Sequence, residues 1–213
     1  MLRLGLTQRV VAVETRGERR DALDQAWTRC LAGMGYLPVP LPNAIECLET
    51  FVDALALDGF VLTGGNDLGH LAGARDPAPD RDALERRVID LAAARELPLL
   101  GVCRGFQMLV THYGGTLSPV TGHAGTTHPL VARARPSAPL GERDAVNSFH
   151  DFGVREDAVG AELQVLAAAP DGTVEAVAHR ALPQWGILWH PERAPRDHRD
   201  AELFHALFQR GRR

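Results

Sequence analysis

Cysteine is scarce in this chain. Cys30, Cys47 and Cys103 are the three that occur, an odd number with no Cys-x-x-Cys pair. That excludes a disulfide framework and a structural zinc knuckle. Positive charge is short as well: 23 Lys and Arg against 27 Asp and Glu give a net charge of −4 and a pI near 6.1. Without a basic footprint, neither nucleic acid nor an anionic membrane surface is an expected partner. No apolar run approaches the roughly 18 residues needed to span a bilayer. The opening MLRLGLTQRVVAVETRG is interrupted by Arg3 and Arg9 and has no small-residue cleavage site, so a cytoplasmic location is expected. At 45% hydrophobic and 23% charged, the composition is that of a globular protein with ample core. One domain over residues 1–213 is expected. The charged strings GERRDALD and DRDALERR read as solvated helix faces.

Apolar stretches alternate with helix-like ones through the first half. LRLGLT starts a strand; RRDALDQAWTRCLAGMG places Leu23, Trp27, Cys30 and Leu31 at helical spacing; YLPVPLP is extended. IECLETFVDALAL and DRDALERRVIDLAAAREL read as helices, GFVLTGG and PLLGV as buried strands. Such alternation implies βαβ units and a largely parallel sheet, hence an α/β fold of three layers with helices on both faces. From about residue 116 loops and short edge strands are expected, GHAGTTHP among the loops. ELQVLAAAPDGTVEAVAH then reads as a hairpin about Pro-Asp-Gly, QWGILWHPE as a last strand and AELFHALFQRG as a closing helix.

Cys103 stands where PLLGV gives way to a helix, between Gly101 and Gly105. Reactive groups gather beyond the carboxyl ends of parallel strands, and a helix N-terminus favours a thiolate. A Gly-x-Cys-x-Gly turn suits a nucleophile elbow; a small buried hydrophobe is the alternative. Cys30 and Cys47, inside helical stretches, read as packing residues. A Cys nucleophile needs a base and an orienting group. His190 and Glu192 of WHPE lie two apart, on one side of an extended segment. That is a base with its orienter, or a polar strand end. VLTGGND offers a backbone N–H from Gly64 or Gly65 for an oxyanion, with the N–H of Arg104 as second donor.

TGGND, GVCRGFQ and WHPE, in that order, resemble the class I glutamine amidotransferase superfamily from end to end, whose fold is flavodoxin-like. The resemblance implies a Cys103–His190–Glu192 triad, an oxyanion hole at Gly65 and Arg104, and thioester chemistry without cofactor or metal. Arg104 after the nucleophile, together with VNSFH, resembles the γ-glutamyl hydrolase (peptidase C26-like) branch rather than the ammonia suppliers. GLTQRV, LTGGNDL, GVCRGFQM, VNSFHDFG and WHPER resemble, more narrowly, the γ-glutamyl-CDP-amidate hydrolases of capsule phosphoramidate biosynthesis. Their products would be glutamate and cytidine diphosphoramidate. A γ-glutamyl-γ-aminobutyrate hydrolase and a glutaminase subunit serving a separate synthase are the other readings.

The substrate is then a small γ-glutamyl molecule, with Gly64, Asn66, Arg104, Gln107, Ser148 and His150 as candidate contacts. Arg104 could instead anchor its helix by a salt bridge, and Asn66 could cap a short helix. His123 and His128 could bind phosphate or lie in solvent. A metal held by His123, His128 and His150 is not expected, since the thioester route needs none. Oligomeric state is left open, a homodimer being the assembly considered.

Overall fold

The computed structural model of the chain describes residues 1–133, 140, 145–193 and 197–209. In chain order the first half runs β1 (Arg3–Thr7), β2 (Arg9–Val13), β3 (Glu18–Ala22), α1 (Gln25–Gly33), β4 (Leu37–Leu41), α2 (Leu48–Leu55), β5 (Gly59–Leu62), α3 (Pro79–Ala94), β6 (Leu99–Val102) and α4 (Arg104–His112). The second half runs β7 (Ser118–Pro119), β8 (Ala124–His128), β9 (Val131–Ala132), β10 (Val146–Phe149), β11 (Phe152–Gly153), β12 (Leu163–Ala168), β13 (Val174–His179), β14 (Gln184–Ile187) and α5 (His198–Phe208).

The central sheet has 8 strands in the order β4-β1-β5-β6-β14-β13-β12-β9. The pairings from β4 to β14 are parallel, and those from β14 to β9 are antiparallel. Side chains of a strand point alternately to opposite faces, and two cores result. Leu4, Leu6, Val61, Leu100 and Val102 pack with Trp27 and Leu31 of α1 and with Leu203, Phe204 and Leu207 of α5. Phe60, Leu62 and Leu99 pack instead with α2, α3 and α4 through Leu48, Val52, Leu84, Val88, Phe106 and Leu109. Runs buried on both faces explain why β5 and β6 read as unbroken apolar stretches. Pro38 and Pro40 lie on β4, an edge of the sheet, where a missing backbone donor is tolerated.

Three expectations are corrected. GERRDA does not begin a helix, because Asp24 caps α1 by accepting the Ala26 N–H at 2.8 Å. Upstream of that cap Glu18–Ala22 pairs with β2 as an exposed hairpin, closed through Gly17 at φ 62°. Cys47 is exposed at the start of α2, whereas Cys30 is buried as expected. GHAGTTH is a strand and its approach rather than a loop: β8 pairs antiparallel with β10, apart from the main sheet.

Candidate active site

The carboxyl ends of β5, β6 and β14 lie side by side, in register at Leu62↔Gly101 and Ile187↔Val102. Each chain leaves its strand there with one of the motifs. Cys103 caps α4 with φ 53° and ψ −105°, a conformation non-glycine residues seldom adopt, of the kind kept at functional sites. Its N–H donates to Ile187 O at 2.9 Å, and its carbonyl accepts the Gln107 N–H at 3.0 Å. The flanking glycines are required by close approach. A Cβ on Gly101 would lie 2.5 Å from Gly105 O, and one on Gly105 would lie 2.1 Å from Leu62 O.

His190 is buried, and Glu192 Oε1 lies 2.7 Å from its Nδ1. A carboxylate can only accept, so Nδ1 carries a proton and Nε2, itself buried, is the nitrogen left for Cys103. A Cβ placed on Gly64 would lie 2.7 Å from His190 Cε1 and 3.6 Å from Cys103 Cβ. Thiol, imidazole and glycine turn therefore meet at one point. Burial pulls the His190 pKa down, but the charge and hydrogen bond of the Cys103 sulfur, with Glu192 behind, outweigh it and raise it to about 9. The sequence reading missed Asn147, which accepts the His190 N–H at 2.8 Å and donates to its carbonyl at 2.9 Å. Alternation along VNSFH put Asn147 on the opposite side from Ser148 and could have signalled it.

Arg81 was also missed. Its guanidinium, wholly buried, donates to the carbonyls of Thr63 at 2.6 Å, Gly64 at 3.1 Å and Gly65 at 2.6 Å. In a trans peptide N–H and C=O point oppositely, so the N–H groups of Gly64, Gly65 and Asn66 are turned away from Arg81. Glu85 holds Arg81 Nε at 2.8 Å and accepts Thr7 Oγ1–H at 2.8 Å. Burial lowers the Arg81 pKa to about 10 against the pull of Glu85. DRDALERR is thus not a solvated face: Arg81, Asp82 and Glu85 are all buried.

Arg104 is corrected as a substrate contact. Its guanidinium turns inward to Asp82 and Glu85, tying the elbow to α3. Asn66, at φ 59°, is committed as well: it accepts the Val10 N–H at 2.8 Å and donates to Val10 O at 3.0 Å and to Asp76 at 2.8 Å. It pins the β2–β3 hairpin rather than capping a helix. Gln107 and His150 line a cleft with Cys103, Gly65, Arg9 and Phe152; Gln107 Nε2 donates to Phe152 O at 2.9 Å. Ser148 is fully buried and lies against His123, with 3.5 Å between Oγ and Nδ1, not in the cleft. Arg9 and Arg104 both line the cleft, but with the Arg104 guanidinium turned inward it is Arg9, half exposed and 3.0 Å from Asp76, that offers its charge there.

Against known proteins, residues 5–192 match the family model of Peptidase C26. Over 193 residues the chain is 30% identical to the γ-glutamyl-CDP-amidate hydrolase of Campylobacter jejuni, covering 89% of this chain and 90% of that protein. It is 32% identical over 211 residues to the γ-glutamyl-γ-aminobutyrate hydrolase of Escherichia coli, with 83% and 81% covered. A solved glutamine amidotransferase from Thermotoga maritima shares the fold, with a TM-score of 0.63 at 16% identity over 90% of this chain and 76% of that one. The chain belongs to the Peptidase C26 family, on the fold of the class I glutamine amidotransferases.

Proposed function

We propose that the protein is a cysteine-dependent γ-glutamyl hydrolase. The observation that carries this reading is the meeting of the strained Cys103 elbow with the buried His190–Glu192 pair across Gly64. With its pKa raised to about 9, His190 stays an imidazolium at neutral pH beside the Cys103 sulfur. The sulfur attacks the γ-carbonyl carbon, and the oxyanion that forms is met by the N–H groups of Gly65 and Arg104. Arg81 acts as a positioning residue by fixing the direction of the Gly65 amide. As the tetrahedral intermediate collapses, the C–N bond breaks and His190 gives its proton to the departing nitrogen. Now neutral, His190 takes a proton from water; the resulting hydroxide attacks the thioester carbonyl, and glutamate leaves with the thiolate and imidazolium restored. Glu192 keeps the ring oriented throughout.

For the leaving group we favour a nucleoside diphosphoramidate. The match to the Campylobacter jejuni enzyme spans nearly the whole of both chains, and Arg9 brings a cation to the mouth of the cleft. An aminobutyrate leaving group is the second reading, favoured by the identity to the Escherichia coli enzyme. The reaction is taken to occur in the cytoplasm. Glutamate release should be measured from γ-glutamyl-CDP-amidate, γ-glutamyl-γ-aminobutyrate and glutamine, with the parent protein and Cys103→Ala. Release from the first substrate, abolished in a folded Cys103→Ala variant, is expected. Undiminished turnover in that variant would end the proposal, and preference for the second substrate would transfer the leaving group to the aminobutyrate class.

A further inference from the structure

Beside the cleft, and outside the machinery just described, four side chains converge: His123, His128, His150 and Glu175. They come from the approach to β8, the end of β8, the residue after β10, and the start of β13. Glu175 is fully buried, His123 and His150 nearly so. Three imidazole nitrogens surround one carboxylate oxygen, Glu175 Oε1: His128 Nε2 at 3.3 Å, His150 Nε2 at 3.5 Å and His123 Nδ1 at 3.6 Å.

The protons on these rings are fixed by what lies behind them. His123 Nε2 is 3.1 Å from Asp171 Oδ2, His128 Nδ1 is 3.2 Å from Pro129 O, and His150 Nδ1 is 3.1 Å from Phe152 O. Each of those partners can only accept, so each ring must donate outward. In the neutral rings, the inward nitrogen then carries a lone pair. Three lone pairs and a carboxylate aimed at one small space repel one another. Among the described residues His128 Nε2, His150 Nε2 and both Glu175 oxygens have no hydrogen-bond partner. His123 Nδ1 has the Ser148 hydroxyl at 3.5 Å, too long to satisfy it.

Such an arrangement asks for a cation at its centre. Charge-assisted hydrogen bonds run at about 2.7–2.9 Å, so the separations are too long for imidazolium–carboxylate bonding. Zinc binds imidazole and carboxylate at about 2.0–2.2 Å, and the edge of a tetrahedron of that size is about 3.3–3.6 Å. The three distances to Glu175 fall in that interval. All four donor atoms lie within 4.8 Å of one another, so modest ring rotations bring them onto one ion. An outward N–H to a carboxylate or carbonyl is also the usual support of a metal-bound histidine.

We infer that His123, His128, His150 and Glu175 form a zinc site with four protein ligands, closed and therefore structural. It would fasten the separate β8–β10 sheet to β13 of the main sheet, holding the cleft wall that carries His150. No step of the hydrolysis passes through it.

The test loads zinc chloride onto chelator-stripped whole protein. Bound metal is measured by mass spectrometry, melting by calorimetry, and the ligand shell by X-ray absorption. Stoichiometric zinc, a higher melting temperature and a shell of nitrogen and oxygen without sulfur are expected. Asp171→Asn, which alters the support of His123 along with the two hydrogen bonds Asp171 accepts from Thr173, should weaken zinc binding by about 10–100-fold. Glu175→Gln should weaken it further, and His70→Ala, at an exposed histidine elsewhere, should leave it unchanged. Absence of stoichiometric zinc, a sulfur ligand, or equal affinity in Asp171→Asn would overturn the inference. The absorption measurement on the parent chain decides the matter even where Glu175→Gln does not fold.

Discussion

Gly64→Ala perturbs the candidate site by a single methyl group. The new Cβ would lie 2.7 Å from His190 Cε1, where ordinary contact begins at 3.4 Å. The imidazole must therefore retreat by the difference, 0.7 Å. It has little freedom to do so gently, because Glu192 holds Nδ1 and Asn147 holds both main-chain polar groups of His190. Gly64 is not among the positive-φ residues, so its backbone accepts alanine. The damage should fall on chemistry rather than on folding. Misplacing a reacting group by about an ångström costs on the order of 10²-fold in rate, or about 2.7 kcal/mol of barrier. Gly65→Ala is the informative contrast. Its Cβ would meet nothing nearer than Arg9 Cδ at 3.4 Å, but φ is +85°. An L-residue there costs about 1–2 kcal/mol, which lowers the melting temperature of a chain this size by roughly 2–8 °C. The assay is kcat/KM for glutamate release beside a thermal melt for each variant. Full activity in Gly64→Ala at an unchanged melting temperature would refute the placing of His190 against the reacting thiol.

The pH profile should show an alkaline limb. Because His190 is raised from 6.5 to about 9, its proton is in place below that pH; the stability it contributes is whole below about 6.5 and lost as pH rises through about 9. Removing one raising influence, as in Glu192→Gln, should move the limb of kcat/KM toward acid, and an unmoved limb would count against the pairing. Arg104→Ala strands Asp82 and Glu85 in the interior with Arg81 as the remaining cation, and should cost about 3–5 kcal/mol in denaturant unfolding. A loss under about 1 kcal/mol would show that the pairing is not needed.

The alternation of strand and helix, and the glycine-bounded turn at Cys103, were legible because apolar period and turn residues are local signals. Arg104 was not, since a charged residue looks alike in solvent and in a buried network. Its partners Asp82 and Glu85 lie 22 and 19 residues away on another helix. Arg81 hid in the same string for the same reason. Glu175 sits within a hairpin strand whose pattern says nothing of the three histidines meeting it from other segments. Asn147 was visible as a face of VNSFH, but its partner is the backbone of His190, 43 residues on. In each case the missing information was which distant segment lies opposite.

The cleft has walls of a different origin from its floor. Cys103 and Gly65 follow the ends of main-sheet strands, whereas Arg9 belongs to the β2–β3 hairpin, His150 and Asp151 to the turn between β10 and β11, and Phe152 to β11 itself. Those flanking pieces pair among themselves and not with the sheet. On the proposed function, with the amine seated against these pieces, bond cleavage and choice of amine can drift separately during descent. Kinship in the hairpin and in that turn, more than identity averaged over whole chains, should sort members of the family by what they release.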